Sequence, residues 1–182
     1  MSKWKECKLG DVVRINYGKG LPEEKRIQGS IPVFSSAGIT GWHNAPLVNN
    51  NGIIIGRKGT IGTVYYSDKP FFCIDTAYYI EPDEAKYNIK YLFYLLNTIG
   101  LKELNEDSAV PGLNRNTAYA QDILFPTLPE QCAIASVLSS LDDKIDLLHR
   151  QNKTLEGIAA ALWRKMFVEE TDPGWKNGKL GD

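Results

Sequence analysis

The chain contains 182 residues, of which 43% are hydrophobic and 24% are charged, and its formal net charge is −1. This is the composition of an ordinary globular protein, and the near-neutral charge argues against indiscriminate nucleic-acid binding. Because the sequence shows no apolar run of about 20 residues and no secretory signal, we expect a cytoplasmic protein without membrane contacts. The three cysteines lie far apart and only two histidines are present, which argues against a disulfide framework or a bound metal.

The first 128 residues are rich in glycine, asparagine, tyrosine and β-branched residues, which is typical of short strands joined by turns. The predicted strands are Ile31–Phe34, Gly52–Ile55, Ile61–Tyr66, Thr76–Ile80 and Asp122–Phe125. Apolar residues recur near a 3.6-residue period over residues 88–104, which predicts a helix. Residues 1–60 hold nine Lys or Arg against four Asp or Glu. This weakly basic third of the chain could face phosphates or could be an ordinary solvated surface.

Four polar or basic loops in this region carry side chains suited to DNA, and they include residues 35–44, 56–62 and 113–117. Residues 56–62 read Gly-Arg-Lys-Gly-Thr-Ile-Gly and are predicted to form a tight turn with two cations at its tip. They are not a P-loop, because the required Lys-Ser/Thr pair and the following helix are missing. Each loop alone has a structural explanation, but four together favour a recognition surface. The candidate DNA-binding residues are Lys19, Lys25, Arg26, Ser35, Ser36, Trp42, His43, Arg57, Lys58, Thr60, Asn114, Arg115 and Asn116.

Catalysis has little support in the sequence. No Ser-His-Asp order, Gly-x-Ser-x-Gly elbow, methyl-donor glycine motif or Asn/Asp-Pro-Pro-aromatic tetrapeptide is present. We therefore expect a non-catalytic chain that binds no cofactor of its own.

A long helix is predicted after Pro129, because residues 130–168 contain one glycine and no proline. Apolar residues follow alternating steps of four and three, which is an a/d heptad pattern, and the helix would be roughly 58 Å long. The predicted seam consists of Ile134, Leu138, Leu141, Ile145, Leu148, Asn152, Leu155, Ala159, Leu162 and Met166. One small domain cannot cover so long a stripe, so a partner helix is implied, with packing against the chain's own N-terminal domain as the alternative. Asn152 occupies an a position, where asparagine commonly fixes register and oligomeric state.

The last eight residues repeat a segment near the start of the chain. Residues 4–11 read Trp-Lys-Glu-Cys-Lys-Leu-Gly-Asp and residues 175–182 read Trp-Lys-Asn-Gly-Lys-Leu-Gly-Asp, with six of eight positions in agreement. A repeat at domain-sized spacing indicates a tandem architecture of which this chain holds one half. The predicted organisation is a β-rich domain at 1–128, a dimerisation or spacer helix at 129–170, and a linker with the start of a truncated second repeat at 171–182.

Several segments can be compared with a known family: the Trp4 to Asp11 start, Ile31–Gly38, Gly56–Gly62, and Asp122–Gln131 leading into Ile134–Ile145. Together they resemble the specificity subunit of type I restriction–modification systems, and the Leu-Pro-Glu-Gln entry to the helix at residues 128–131 is the most specific part. The resemblance implies an α+β fold, with a β-rich DNA target-recognition domain containing small helices followed by a long coiled-coil helix. In that family each recognition domain reads half of a split target, and the helices space the domains and dock methyltransferase subunits. Restriction endonuclease subunits join that core.

The usual family member has two recognition domains and two helices, whereas this chain has one of each. The resemblance therefore implies a half-subunit that binds double-stranded DNA as a two-fold homodimer and reads an interrupted palindrome. S-adenosylmethionine, ATP and Mg would belong to the methyltransferase and restriction subunits. The alternatives left open by the sequence are a free-standing dimeric DNA-binding regulator, a protein–protein scaffold without a DNA role, and a fragment of a fused enzyme.

Overall fold

A computed structural model of the chain describes residues 4–104, 112–170, 174–175 and 178. The chain divides into two compact units, residues 1–136 and 137–182. The strands are β1 Lys5–Lys8, β2 Asn16–Tyr17, β3 Ile31–Ser35, β4 Gly38–His43, β5 Gly52–Gly56, β6 Val64–Ser67, β7 Phe72–Cys73, β8 Ala77–Ile80 and β9 Asp122–Phe125. The helices are α1 Leu9–Val12, α2 Ile89–Leu96, α3 Arg115–Tyr119 and α4 Leu128–Arg164, with 3₁₀ turns at Glu23–Lys25 and Leu101–Glu103. The predicted α+β class, a β-rich domain followed by a long helix, is confirmed.

Three small sheets form the framework of the first unit. The largest has the strand order β2-β8-β5-β6, and all of its pairs are antiparallel. A second sheet has the order β4-β3-β7, in which β3 and β7 run parallel. Strands β1 and β9 form an antiparallel pair, so the start of the described chain lies beside the strand that precedes α4.

Strand β5 lies at the centre of the core because all five of its residues are buried. Ile53 and Ile55 belong to the larger hydrophobic cluster, which residues of α1, α2 and α3 complete. Ile54 points to the other face and packs in a second cluster with Phe34 and Phe71. A strand buried on both faces gives a continuous apolar run instead of an alternating pattern. This explains why the sequence alone identifies the segment.

Helix α2 is shorter than the helix predicted at 88–104. It ends at Leu96, and the Asn97 side-chain amide then donates to the Phe93 carbonyl at 2.8 Å. Gly100 follows with a φ of 70°, in the left-handed region that ends helices. A side chain thus takes over a carbonyl that would otherwise lack a partner, and glycine turns the chain. The prediction of one helix through residue 104 is wrong.

Two segments that the sequence predicted as loops contain regular structure. Residues 35–44 include strand β4, which pairs with β3 through the register Ile31↔His43. Residues 113–117 include the start of α3, because the Asn114 side chain accepts a hydrogen bond from the backbone N–H of residue 116 at 2.8 Å. Asparagine is a favoured N-cap residue. A helix of five residues is too short to show its period in the sequence.

The predicted strand at Ile61–Tyr66 begins only at Val64, since a hairpin loop of seven residues, 57–63, joins β5 to β6. The expected tight turn is therefore a longer loop. Gly62 in this loop has a φ of 64°, and its backbone N–H donates to the Gly56 carbonyl at 2.8 Å. A side chain at Gly62 would meet the Leu101 carbonyl carbon at 2.3 Å. Close packing of the backbone against the neighbouring 3₁₀ turn explains why glycine is needed there.

The first residues of α4 belong to the first unit and are held there by a buried amide side chain. The helix begins at Leu128, with Pro129 in its first turn. Gln131 is 1% exposed. Its Oε1 accepts from the Asn88 N–H at 2.9 Å, and its Nε2 donates to the Pro126 carbonyl at 3.0 Å. The Gln of the Leu-Pro-Glu-Gln segment therefore links the beginnings of α2 and α4.

The second unit consists mainly of the remainder of α4 and a π-helical turn at Lys165–Glu169. The 37 residues of α4 correspond to about 55 Å at 1.5 Å per residue. Every residue from Ser140 to Glu170 is exposed in the single chain. No helix in the described ranges is long and apolar enough to cross a membrane. Of the predicted truncated repeat, only residues 175 and 178 are described, so the repeat lies largely outside the described residues.

Candidate nucleic-acid interface

A concavity of about 290 Å³ brings together two of the loops that the sequence singled out. Arg57 and Lys58 come from the hairpin loop between β5 and β6, and Asn114 and Arg115 come from the start of α3. An isolated bridge between Lys58 and Gly112 joins the two segments. We call this concavity the arginine pocket. Its other lining residues are Tyr17, Tyr78, Gly112 and Leu113.

Two guanidinium groups stack on one tyrosine in the arginine pocket. The Cζ of Arg57 lies 4.9 Å from the centre of the Tyr17 ring, and that of Arg115 lies 4.7 Å from the same centre. Tyr17 in turn meets Tyr78 edge-on, with 5.1 Å between the ring centres. Cation–π contacts of this kind are worth about 0.5–2 kcal/mol each, depending on exposure. The tyrosines therefore restrain the positions of both arginines.

Each guanidinium is also held by a backbone carbonyl from another segment. The Nη1 of Arg57 donates to the Asp75 carbonyl at 3.1 Å, and the Nη1 of Arg115 donates to the Ile15 carbonyl at 3.4 Å. Both side chains are only partly exposed. A guanidinium carries five N–H donors. Each arginine can thus use one donor for anchoring and present others to a ligand.

Tyr78 lines the arginine pocket, contacts the Tyr17 ring edge-on, and remains neutral. Burial raises the pKa of the Tyr78 phenol above its usual value, and Tyr17 acts in the same direction while Arg57 opposes it. The phenol oxygen donates to the Leu113 carbonyl at 3.0 Å. Because the phenol stays protonated at neutral pH, this hydrogen bond is retained and holds the segment before α3 in place.

Ser36 and Thr60 lie next to the arginine pocket without lining it. The Thr63 hydroxyl in the hairpin loop donates to the Ser36 carbonyl at 2.7 Å and lies 3.1 Å from the Thr60 carbonyl. The Ser36 N–H donates to the Thr76 hydroxyl at 3.4 Å, and the Thr76 carbonyl accepts from the N–H groups of residues 57 and 58. Ser36 is buried while Thr60 is exposed. The contacts of Ser36 connect the β3–β4 turn to the hairpin loop.

The remaining candidates lie elsewhere in the first unit. Arg26 donates to the Thr40 carbonyl at 2.7 Å. His43 is buried, and its Nδ1 accepts from the Ile27 N–H at 3.0 Å, so its ring has a structural partner. Lys19, Lys25, Trp42 and Asn116 are exposed, and Ser35 is partly exposed with its hydroxyl engaged by its own turn. The structure therefore gathers four of the thirteen predicted residues, Arg57, Lys58, Asn114 and Arg115, into one pocket.

Tyr17 and Tyr78 were not predicted as site residues. They are direct partners in the register of β2 and β8, although 60 residues separate them in the chain. Tyrosine is common in strands, so each one looks like an ordinary sheet residue in the sequence. Only the sheet pairing reveals that the two rings lie together where they contact the arginines.

The predicted seam runs along α4 as a stripe of exposed side chains. Its first two members, Ile134 and Leu138, are partly buried, and Ile134 packs against the core of the first unit. The exposed members are Leu141, Ile145, Leu148, Asn152, Leu155, Ala159, Leu162 and Met166. Large apolar side chains in water are unfavourable, and a stripe of them at heptad spacing is suited to a second helix.

The described residues include no group of three or more His, Cys, Asp or Glu side chains that could hold a metal ion. The chemistry available in the arginine pocket is hydrogen-bond donation and positive charge.

The fold places the protein in a recognised class. The crystal structure of a type I restriction–modification S subunit from M. genitalium is similar to this chain with a TM-score of 0.76 and 20% sequence identity. The similarity covers 92% of this chain and 47% of that one. At this level of identity the likeness shows a shared fold. The architecture is thus that of type I specificity subunits.

The family follows from the sequence comparison. The chain belongs to the type I restriction modification DNA specificity domain family, which matches residues 1–157. The MjaIX specificity subunit of Methanocaldococcus jannaschii is 29% identical over 151 residues, which cover 71% of this chain and 35% of that protein. The MjaVIII specificity subunit of the same organism is 23% identical, covering 98% of this chain and 46% of that protein. The resemblance seen in the sequence is confirmed, and the chain spans about a third to a half of these relatives' length.

Proposed function

We propose that the chain is a half-length specificity subunit of a type I restriction–modification complex and that it works as a two-fold homodimer. Residues 1–128 form the target-recognition domain, residues 129–170 form the pairing and spacing helix, and residues 171–182 form a linker and the start of a second repeat. Each protomer reads one half of an interrupted palindrome. The chain is non-catalytic and docks methyltransferase subunits, which restriction endonuclease subunits join. S-adenosylmethionine, ATP and Mg belong to those partners.

The exposed seam of α4 is the observation that carries this proposal. Leu141, Ile145 and Leu148 are 55%, 51% and 45% exposed in the single chain. Burial of apolar surface contributes roughly 25 cal/mol per Å², so a partner that covers several heptads gains substantially. A second copy supplies the same stripe, and a two-fold axis makes the two stripes complementary.

Asn152 supports a paired helix over a nonspecific apolar surface. It interrupts the seam at an a position and is exposed in the single chain. An asparagine buried in a helix pair needs a hydrogen-bond partner, so it favours one register and disfavours others. A fixed register is required of a helix pair that sets the spacing between two half-sites.

The near-neutral net charge of −1 fits a subunit that reads bases within a larger complex. Phosphate contacts supply most of the salt-dependent affinity of DNA-binding proteins, while base contacts supply specificity. The arginine pocket offers donors for base contacts. Methyltransferase subunits would then contribute much of the electrostatic attraction to the DNA phosphates.

The oligomeric state can be tested by sedimentation equilibrium of the full chain. We expect a dimer for the wild type and a monomer for the double variant Leu141→Asp with Leu148→Asp, since it places charges inside the seam. The matched control is Ser140→Asp with Leu147→Asp, which adds the same charge one residue earlier, off the a/d stripe, and should remain dimeric. A monomeric wild type would contradict the homodimer, and a seam variant that stays dimeric would show that the α4 seam is not the dimer contact.

The assembly can be tested by affinity capture of the tagged chain from its source cells, followed by mass spectrometry. We expect an adenine-type methyltransferase to be recovered together with the chain. Recovery of only the chain and DNA would contradict docking and favour the free-standing dimeric regulator. A methylated target with two unrelated halves would contradict identical half-sites.

A further inference from the structure

We infer that Arg57 and Arg115, both stacked on Tyr17, recognise a guanine edge in the DNA major groove. The half-site read by one protomer therefore contains at least one fixed G·C pair. This inference rests on the proposed function, because it names the base that the recognition domain requires.

The two guanidinium groups are restrained by contacts within the chain before any ligand arrives. The Cζ of each guanidinium lies over the Tyr17 ring within 5 Å of its centre, and each group is anchored to a backbone carbonyl by one Nη1 hydrogen bond. The anchoring carbonyls belong to Asp75 and Ile15, in segments remote from the arginines. A side chain that is already ordered loses little conformational entropy on binding. Restrained guanidinium groups favour a ligand that binds in one orientation only.

The arginine pocket offers mainly hydrogen-bond donors. Its described lining residues include two arginines and one lysine and no carboxylate. The Asn114 Oδ1, which could accept from a base, is already occupied by the N–H of residue 116. The Tyr78 hydroxyl donates to the Leu113 carbonyl. The pocket is thus suited to a ligand edge that consists of acceptors.

Guanine is the base whose major-groove edge meets this requirement. It presents two neighbouring acceptors, N7 and O6, which match the two parallel N–H groups of a guanidinium. Adenine adds an N6 donor that would face other donors, and cytosine presents a donor alone. Thymine offers one acceptor beside a methyl group. A phosphate could also bind a guanidinium, but a phosphate contact does not require the plane to be fixed in advance, and exposed Lys58 at the same pocket suits that role.

The half-site is found first, by enrichment of a duplex library with a randomised core on the full-length chain. We expect the enriched sequences to contain an invariant G·C pair in each half. Enrichment without an invariant G·C pair would overturn the guanine inference while leaving the proposed function intact. A complete lack of sequence enrichment, with the methyltransferase subunits also present, would overturn both.

The atoms are then tested with the wild-type protein, so that misfolding cannot confuse the result. Replacing the invariant guanine by 7-deazaguanine removes N7 and keeps the Watson–Crick pair. We expect a loss of affinity of roughly tenfold, since one charge-assisted hydrogen bond is lost. The same replacement at a guanine in the spacer between half-sites is the control and should leave affinity unchanged. Equal affinity for both duplexes would overturn the inference.

Charge-preserving variants separate base contacts from phosphate contacts. Arg57→Lys and Arg115→Lys keep the charge but lose the planar pair of donors. We expect each to lose discrimination for the G·C pair, by roughly 5- to 150-fold, with an unchanged salt slope. Lys58→Ala should instead weaken all duplexes alike and reduce the salt slope by about one. Arginine variants that retain G·C discrimination would overturn the inference.

Discussion

Replacement of Gln131 by methionine tests how the start of α4 is held within the first unit. Methionine has a similar length but lacks the amide, so the Asn88 N–H and the Pro126 carbonyl lose the partners that now lie 2.9 and 3.0 Å away. An unsatisfied buried group costs about 1–3 kcal/mol. Gln131 is 1% exposed, and a thioether is easier to bury than an amide, which offsets part of the loss. We expect the free energy of unfolding to fall by about 2–4 kcal/mol.

The assay is urea denaturation followed by circular dichroism, with wild type and variant at the same protein concentration because dimerisation would also stabilise the fold. With a typical slope, the midpoint should fall by roughly 1 M or more. The matched control is Gln151→Met, on an exposed part of the same helix. It should change the free energy of unfolding by no more than about 0.5 kcal/mol. If Gln131→Met behaves like this control, the amide does not hold the two helix starts together and our account of the junction is wrong.

Two further predictions concern the hairpin loop and the cysteines. Gly62→Ala should destabilise the fold by about 2 kcal/mol or more in the same assay, because a Cβ there meets the Leu101 carbonyl carbon at 2.3 Å and the φ is 64°. Gly157→Ala, with nothing within 4 Å of its Cβ, should instead stabilise the helix by about 0.5–1 kcal/mol. Burial raises the pKa of Cys73 from 9.0 to about 12, so iodoacetamide at pH 8 should label exposed Cys132 and spare Cys73 until urea unfolds the chain, as mass spectrometry can show. The raised pKa makes the Cys73 contribution to stability present below pH 9, and it is lost as the pH rises from 9 towards about 12.

The sequence predicts elements best where burial leaves a simple pattern. Strand β5 is a continuous apolar run because both of its faces are buried, and α4 shows heptads because its a/d stripe is apolar except at Asn152. Strand β4 was missed since it contains two glycines and several exposed residues, and its pairing with β3 decides its structure. Helix α2 was overextended because apolar periodicity continues past Asn97, where side-chain hydrogen bonds and a left-handed glycine end the helix.

The candidate site is predictable only in part from the sequence, because its aromatic contacts depend on how strands pair. Polar loops indicated Arg57 and Arg115 as possible contacts, but nothing in the sequence shows that both stack on Tyr17. That contact depends on the pairing of β2 with β8, which places Tyr17 opposite Tyr78. Loop residues can therefore be proposed as contacts from composition. The tyrosines that restrain them can be identified only from the tertiary fold.

The arginine pocket depends on segments that the core holds together. Tyr17 lies on β2, Arg57 follows β5, and Arg115 opens α3, while the carbonyls that anchor the arginines come from Ile15 and Asp75. Any change that shifts one of these segments moves a guanidinium relative to the other, so under the proposed function core substitutions outside the pocket should alter base preference. The exposed seam of α4 contains none of these residues. Under the proposed function, target preference and oligomeric state should therefore respond to separate sets of substitutions: seam variants should abolish dimers without changing the preferred half-site base, and pocket variants should do the reverse.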